Sequence, residues 1–283
     1  MSEKNPGLIL AFASAITFSL GNIGTRFMAS EMSTWGLIFL RGCLGVALVW
    51  LVAGRLKKTL WGNNWKSLSL IGLLGFLSTS CTFTAIYRIP LYQAMVLLYL
   101  YPAFAIVLSA LINREPVYLR DGLWVALAIF GCVLLIWPDE AAGLNFQIGH
   151  LIGVLGSFLY GLGFVLARRL GAANSGLEPI FHYSLWAAVG AIPMAYLFGA
   201  GLGYQSGSAI MAGFLVGGLA SLGQLMGYAA VRWLPAFKVG VIGTLEVFGG
   251  ALASWLIFDD PMTARAAAGG FIILFVALTI RSR

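Results

Sequence analysis

AIYRIPLYQAMVLLYLYPAFAIVLSALINREP (85–116) and AVRWLPAFKVGVIGTLEVFGGALASWLIFDDP (230–261) lie at an offset of 145 in one chain. At that offset Pro90 falls on Pro235, Glu115 on Asp260, Pro116 on Pro261 and Arg120 on Arg265. Each stretch thus carries a proline, an acid 25 residues later, and a second proline directly after it. Neither alternates polar and apolar residues over about ten positions, as a membrane-barrel strand does. Each holds a largely apolar run near the roughly 20 residues that cross a bilayer as a helix, the second interrupted by Lys238 and Glu246. Hydrocarbon offers the backbone no hydrogen-bonding partner, so such runs must be helical.

The same bookkeeping extends outward. Ser14 falls on Ser157 and Arg26 on Arg169, both at an offset of 143. Charges, prolines and turn residues divide the chain into ten apolar spans: 8–28, 35–53, 67–87, 91–112, 121–137, 149–169, 179–198, 209–230, 236–257 and 264–280. The first is too long for the apolar region of a signal peptide and reads as a retained span. With 60% hydrophobic and 10% charged residues and a mean hydropathy of +0.92, the chain falls far below the roughly 25% charge of a soluble domain. The three cysteines (Cys43, Cys81, Cys132) all fall inside spans and read as small apolar residues. No P-loop, CxxC or His-rich tract is present, so no cofactor, metal or nucleotide is expected.

Net charge is +7. With the N-terminus in the cytoplasm, thirteen Lys and Arg fall in inside segments and three (Arg26, Arg88, Arg265) outside, with Arg41 inside the second span. This asymmetry reads as membrane topology rather than nucleic-acid binding. Five spans per half is an odd number, so the second half enters from the opposite side. Arg26 is outside and Arg169 inside; Arg120 is inside and Arg265 outside. The expected fold is an all-α polytopic membrane protein. Its ten transmembrane helices form two inverted five-helix repeats, 1–141 and 142–283, with both termini cytoplasmic. Inverted repeats are the hallmark of alternating-access transporters with a midplane substrate site.

The landmarks AIYRIPLYQA (85–94), YPAF (101–104), REP (114–116), FLRG (39–42) and TLEVFGGALASWLIFDDP (244–261) resemble the EamA-type members of the drug/metabolite transporter superfamily over nearly the whole chain. Two positions depart from that pattern. Val247 stands where a Leu-Glu-Pro proline often occurs, and FSLGN (18–22) stands where a Trp-Gly start often occurs. The resemblance implies export of amino acids or similar small amphipathic metabolites across a bacterial inner membrane, as in the aromatic amino-acid exporters. Other small metabolites or drugs are the alternative cargo.

Charge inside a membrane is costly and marks function by default. Glu246 is the only acid well inside a span, and the repeat aligns it with Tyr101. It reads as a substrate-amine or proton-coupling site, or as a structural hydrogen bond. Arg41 reads as a snorkelling cation, a partner of Glu246 or a clamp on a substrate carboxylate. His182 reads as a titrating gate or an interfacial hydrogen bond. Phe18, Ser80, Phe83, Tyr99, Tyr101, Tyr160 and Gln224 reach midplane depth, with Asn22 and Tyr228 about one turn away. The expected site is an aromatic cavity lined chiefly by the third, fourth, eighth and ninth spans, with the first and sixth contributing. A single acid argues against an intramembrane enzyme, and no helix supplies the ring of like groups a channel needs. The expected partners are a small-molecule substrate and membrane lipid.

Overall fold

The computed structural model describes residues 6–28, 31–57, 60–86, 88, 97–136, 147–170, 177–198, 201–204, 206–257 and 264–279. Among them lie eleven α-helices: α1 Pro6–Met28, α2 Thr34–Leu56, α3 Trp65–Ile86, α4 Tyr101–Leu108, α5 Leu119–Ile136, α6 Ile148–Leu170, α7 Leu177–Leu197, α8 Gly207–Ala230, α9 Ala236–Gly243, α10 Leu245–Ile257 and α11 Ala264–Thr279. A π-helical turn, Ser109–Asn113, extends α4. Four helices among the described residues are long and apolar enough to cross a membrane: Thr34–Arg55, Ile148–Leu170, Leu177–Leu197 and Gly207–Ala230. An isolated bridge between Met32 and Tyr204 joins the α1–α2 and α7–α8 connections at one end of the bundle. This chain is a multi-pass helical membrane protein.

The helices sort their faces for lipid. On α1, Ala11, Ser14, Ala15 and Ser19 are buried, while Ile9, Ile16 and Leu20 are exposed. Lipid tails are as apolar as leucine, so close packing and hydrogen bonds rather than burial of oily surface must hold helices together. Small residues do this here. α1 packs on α8, α3 on α6, and α2 on α7. A Cβ at Gly42 would stand 2.4 Å from the Ala188 backbone nitrogen, and one at Gly217 would stand 3.0 Å from the Arg41 Cα. Ser14 Oγ donates to the Gly223 carbonyl across α1–α8, and Ser78 Oγ to the Gly156 carbonyl across α3–α6, each at 2.7 Å. Further contacts join α2 to α8, α3 to α7, α1 to α10, α4 to α6, α4 to α9 and α5 to α11.

Most expected spans match a helix to within a few residues, but the ninth does not run straight. It is two helices, α9 and α10, broken at Thr244. The Thr244 N–H bonds the Val241 carbonyl three residues back rather than continuing the α ladder, and its hydroxyl donates to the same oxygen at 2.6 Å. The fourth span turns likewise at Tyr99 and Leu100 before α4 begins. Pro102 has no N–H, so the Leu98 carbonyl lacks its ladder donor. The outer part of that span, 89–96, lies outside the described residues.

The glycine crossings generate a test. Gly42→Val is expected to lower stability by about 2 kcal/mol or more, because the α7 backbone cannot yield. Gly54→Val, at a site with nothing within 4 Å of its Cβ, should change it little. Thermal unfolding of the two purified variants in detergent checks the contrast.

Candidate substrate site at the helix breaks

The two breaks meet. The Tyr101 hydroxyl, at the start of α4, donates to the Gly240 carbonyl of α9 at 3.1 Å. That oxygen is the one the Thr244 turn leaves without its ladder donor. Ser157 Oγ of α6 donates to the Leu98 carbonyl at 3.1 Å, supplying the bond Pro102 cannot make. Beyond Tyr101, α9 lies directly on α4. A Cβ at Gly240 would stand 2.8 Å from the Tyr101 ring and 3.0 Å from Pro102. Every residue from Ala236 to Ile242 is buried, so this contact closes the bundle on that side of the breaks.

Around the breaks runs a continuous aromatic cluster. The rings of Tyr101 and Tyr160 meet edge-to-face at 4.8 Å, and those of Tyr160 and Phe164 meet at 4.9 Å. Phe164 stacks on Tyr228 at 5.1 Å with planes 9° apart. Such pairs contribute about 0.5–1.5 kcal/mol beyond the area they bury.

A cation stands at one side of this cluster. The Arg41 guanidinium donates through Nη2 to Gln224 Oε1 at 2.5 Å. Its Cζ lies 5.6 Å from the Phe18 ring centroid and 5.4 Å from that of Tyr183. Gln224 also hydrogen-bonds Tyr228 one turn along α8. The Arg41 Nε is buried with no hydrogen-bond partner among the described residues. A carboxyl group also reaches this cluster. Glu246 lies in the first turn of α10, where the helix N-terminus favours negative charge. Its carboxylate is within electrostatic reach of Tyr99, Tyr101 and Tyr160. Tyr160 feels Glu246 and Arg41 both. The Tyr99 hydroxyl is buried and, among the described residues, unpartnered.

Seven of the expected site residues therefore converge with Arg41: Phe18, Tyr99, Tyr101, Tyr160, Gln224, Tyr228 and Glu246. Ser80 is buried and donates to the Phe76 carbonyl of its own helix at 2.9 Å. His182 stands apart, with Nε2 3.2 Å from the Trp61 carbonyl and its ring edge-on to the Trp61 indole at 5.6 Å. The side chains of Asn22 and Phe83 lie outside the described residues. Sequence reasoning missed Phe164 and Tyr183. Tyr183 joins Arg41 to α3 through a 3.3 Å hydroxyl contact with Thr79. Their only signal was position: Phe164 is one turn from Tyr160, and Tyr183 adjoins His182.

Apolar helices thus surround a half-buried arginine, a buried amide and a half-buried carboxyl group, and comparison with known proteins points to a membrane transporter. Residues 5–137 match the EamA-like transporter family. The chain is 25% identical to the pseudopaline exporter CntI of Pseudomonas aeruginosa over 276 residues, 97% of this chain and 95% of the relative. It is 25% identical over 222 residues, 78% of this chain and 75% of the relative, to an uncharacterized transporter of Archaeoglobus fulgidus. A solved crystal structure superposes with a TM-score of 0.83 at 18% identity, covering 97% of this chain and 96% of its own, which speaks to the fold. The first half of the chain thus matches the EamA-like transporter family, and most of its length resembles proteins described as transporters.

The broken helices generate the next test. Tyr101→Phe and Ser157→Ala each strand one carbonyl in a dry interior, at an expected cost of about 1–3 kcal/mol. Thr279→Val removes a hydroxyl bonded to its own exposed helix turn and should cost less than either. Melting temperatures in one detergent check the ranking.

Proposed function

We propose that this chain is a secondary exporter of small zwitterionic or amphipathic metabolites, amino acids foremost, working by alternating access in a bacterial inner membrane. The observation that carries this reading is the bracket at the helix breaks. Arg41 and Glu246 stand on two sides of an aromatic cluster, with Tyr160 in reach of both. A ligand with a carboxylate, an ammonium and an apolar body fits such a bracket: guanidinium groups favour carboxylates, and aromatic rings accept both apolar bodies and cations. The unpartnered Arg41 Nε and Tyr99 hydroxyl are the atoms such a ligand would satisfy. The likeness to a pseudopaline exporter supports export as the direction and makes pseudopaline itself the second cargo to test.

The architecture in this reading is ten spans in two inverted halves, 1–141 and 142–283, with both termini cytoplasmic. The helix pairing supports it. Exchanging the halves turns α1–α8 into α6–α3, α2–α8 into α7–α3, and the α1 contact with α10 into the α6 contact with α4. The pairs α2–α7 and α5–α11 map onto themselves. The two breaks support it as well, because Tyr99 and Thr244 are repeat-equivalent at the same offset of 145. Discontinuous helices at the repeat interface are where such transporters hold their cargo.

Two measurements test the proposal. Reporter fusions after residue 63 are expected in the cytoplasm, and those after 142 and 205 in the periplasm; a periplasmic C-terminus would contradict inversion. In proteoliposomes loaded with a panel of amino acids and with pseudopaline, Glu246→Gln is expected to lower flux of the accepted cargo at least tenfold (about 1.4 kcal/mol in the barrier). Its melting temperature should stay close to wild type. Near-normal flux at equal abundance rejects the role of Glu246 in binding cargo or a coupling proton, and leaves recognition to the aromatic cluster and Arg41.

A further inference from the structure

A cavity lies away from the breaks. It opens between the end of α4, the end of α6 and the α8–α9 connection, with a volume of about 1010 Å³. Its wall carries four arginines, Arg114, Arg168, Arg169 and Arg232, against one acid, Glu115. Arg168 is already engaged. Its Nε donates to Glu115 at 2.5 Å, and its Nη1 donates to the Val231 and Leu234 carbonyls at 2.8 Å each. The Arg168–Glu115 pair neutralises itself, so the remaining wall is cationic.

The same wall is also oily. Leu111 is 73% exposed and Trp233 55%. All these residues sit at helix ends, the level of the membrane interface, where tryptophan and arginine anchor helices. The backbone is shaped to this purpose. The π-helical turn Ser109–Asn113 ends at Arg114, whose φ of 54° is rare for a residue with a side chain,. That turn brings Leu111, Arg114 and Glu115 into one wall. None of the central residues named above lines this cavity.

We propose that this cavity holds the headgroup of an anionic glycerophospholipid, with its phosphate on the arginines and its acyl chains along Leu111 and Trp233. Guanidinium groups bind phosphate through paired N–H donors, and basic pockets between helices hold anionic headgroups. A soluble phosphate would satisfy the arginines alone. The exposed leucine and tryptophan on the same wall favour the lipid. The proposal stands independently of what the central site carries.

The test uses the full chain, delipidated in detergent and titrated with phosphatidylglycerol or phosphatidylcholine of matched acyl chains, with adducts read by native mass spectrometry. Wild type is expected to retain phosphatidylglycerol about tenfold over phosphatidylcholine. Arg169→Gln/Arg232→Gln, which leaves the Arg168–Glu115 pair in place, should bring the two near parity. Equal retention by wild type, or an unchanged preference in the double variant, overturns the proposal. So does displacement of phosphatidylglycerol by millimolar inorganic phosphate, which would identify a soluble-anion site. A photoactivatable phosphatidylglycerol on wild type needs no variant. Labelled peptides should include 111–115 or 232–233, and labelling confined elsewhere overturns the assignment.

Discussion

A carbonyl in hydrocarbon has no water to turn to, and this fold breaks two of its helices where that matters most. Each break strands one oxygen, Leu98 in the fourth span and Gly240 in the ninth. Each is recovered by a hydroxyl from another helix, Ser157 in one case and Tyr101 in the other. Backbone that leaves the α ladder at membrane depth survives only where protein or a water-filled cavity re-satisfies it. The breaks therefore dictate which helices must be neighbours. α6 has to lie beside the fourth span, and α4 has to lie on α9. The close approach of Gly240 to Pro102 follows, and so does the closure of the bundle on that side.

The breaks are also why the polar groups gather where they do. An intact helix presents only side chains, and a central charge on it would face tails. A helix restarted at Leu245 presents N–H groups, which lower the cost of a carboxylate in its first turn. Glu246 is in that turn, with three tyrosine hydroxyls in reach. Arg41 receives a different compensation. Gln224 accepts from it and two rings lie against it, but its Nε remains unmatched. Burying polar groups incompletely costs stability, and a site that must accept a ligand is the place where such a cost has a use.

The sequence was most legible where a single physical rule governs. Apolar length set the spans, and the ends of α2, α6, α7 and α8 fall within a few residues of those expected. Charge at helix depth picked out Arg41 and Glu246, and the cost of burying an unpartnered amide picked out Gln224. What it hid were relations between helices. Pro102 stood in the quoted YPAF, yet its consequence, a stranded Leu98 oxygen, has meaning only once Ser157 is known to face it. The ninth span contains no proline, so hydropathy runs unbroken through Thr244. Tyr183 and Phe164 carry no cost that flags them, since aromatic residues are ordinary in helix packing. His182 did carry such a flag, and the structure gives it a backbone partner at Trp61 instead of the central group.

The ties that close the bundle differ in kind from those that build it. Helix pairs α1–α8 and α3–α6 are joined by serine-to-glycine hydrogen bonds inside glycine-lined crossings, where separation would leave voids as well as stranded carbonyls. The α4–α9 contact is held by one tyrosine hydroxyl and a glycine facing a proline, and at its margin Arg168 reaches the Val231 and Leu234 carbonyls. Under the alternating access proposed above, this contact is the one that must part. Parting it would expose the Gly240, Val231 and Leu234 oxygens together, at the moment that water enters from the opened end. Water then supplies the hydrogen bonds that Tyr101 and Arg168 give up, so hydration of the opening offsets the loss of the closed contact. The glycine crossings gain nothing comparable from opening, because they lie against neighbouring backbone rather than against the mouth. In that proposed cycle, the moving boundary would be set by where water can replace a side chain.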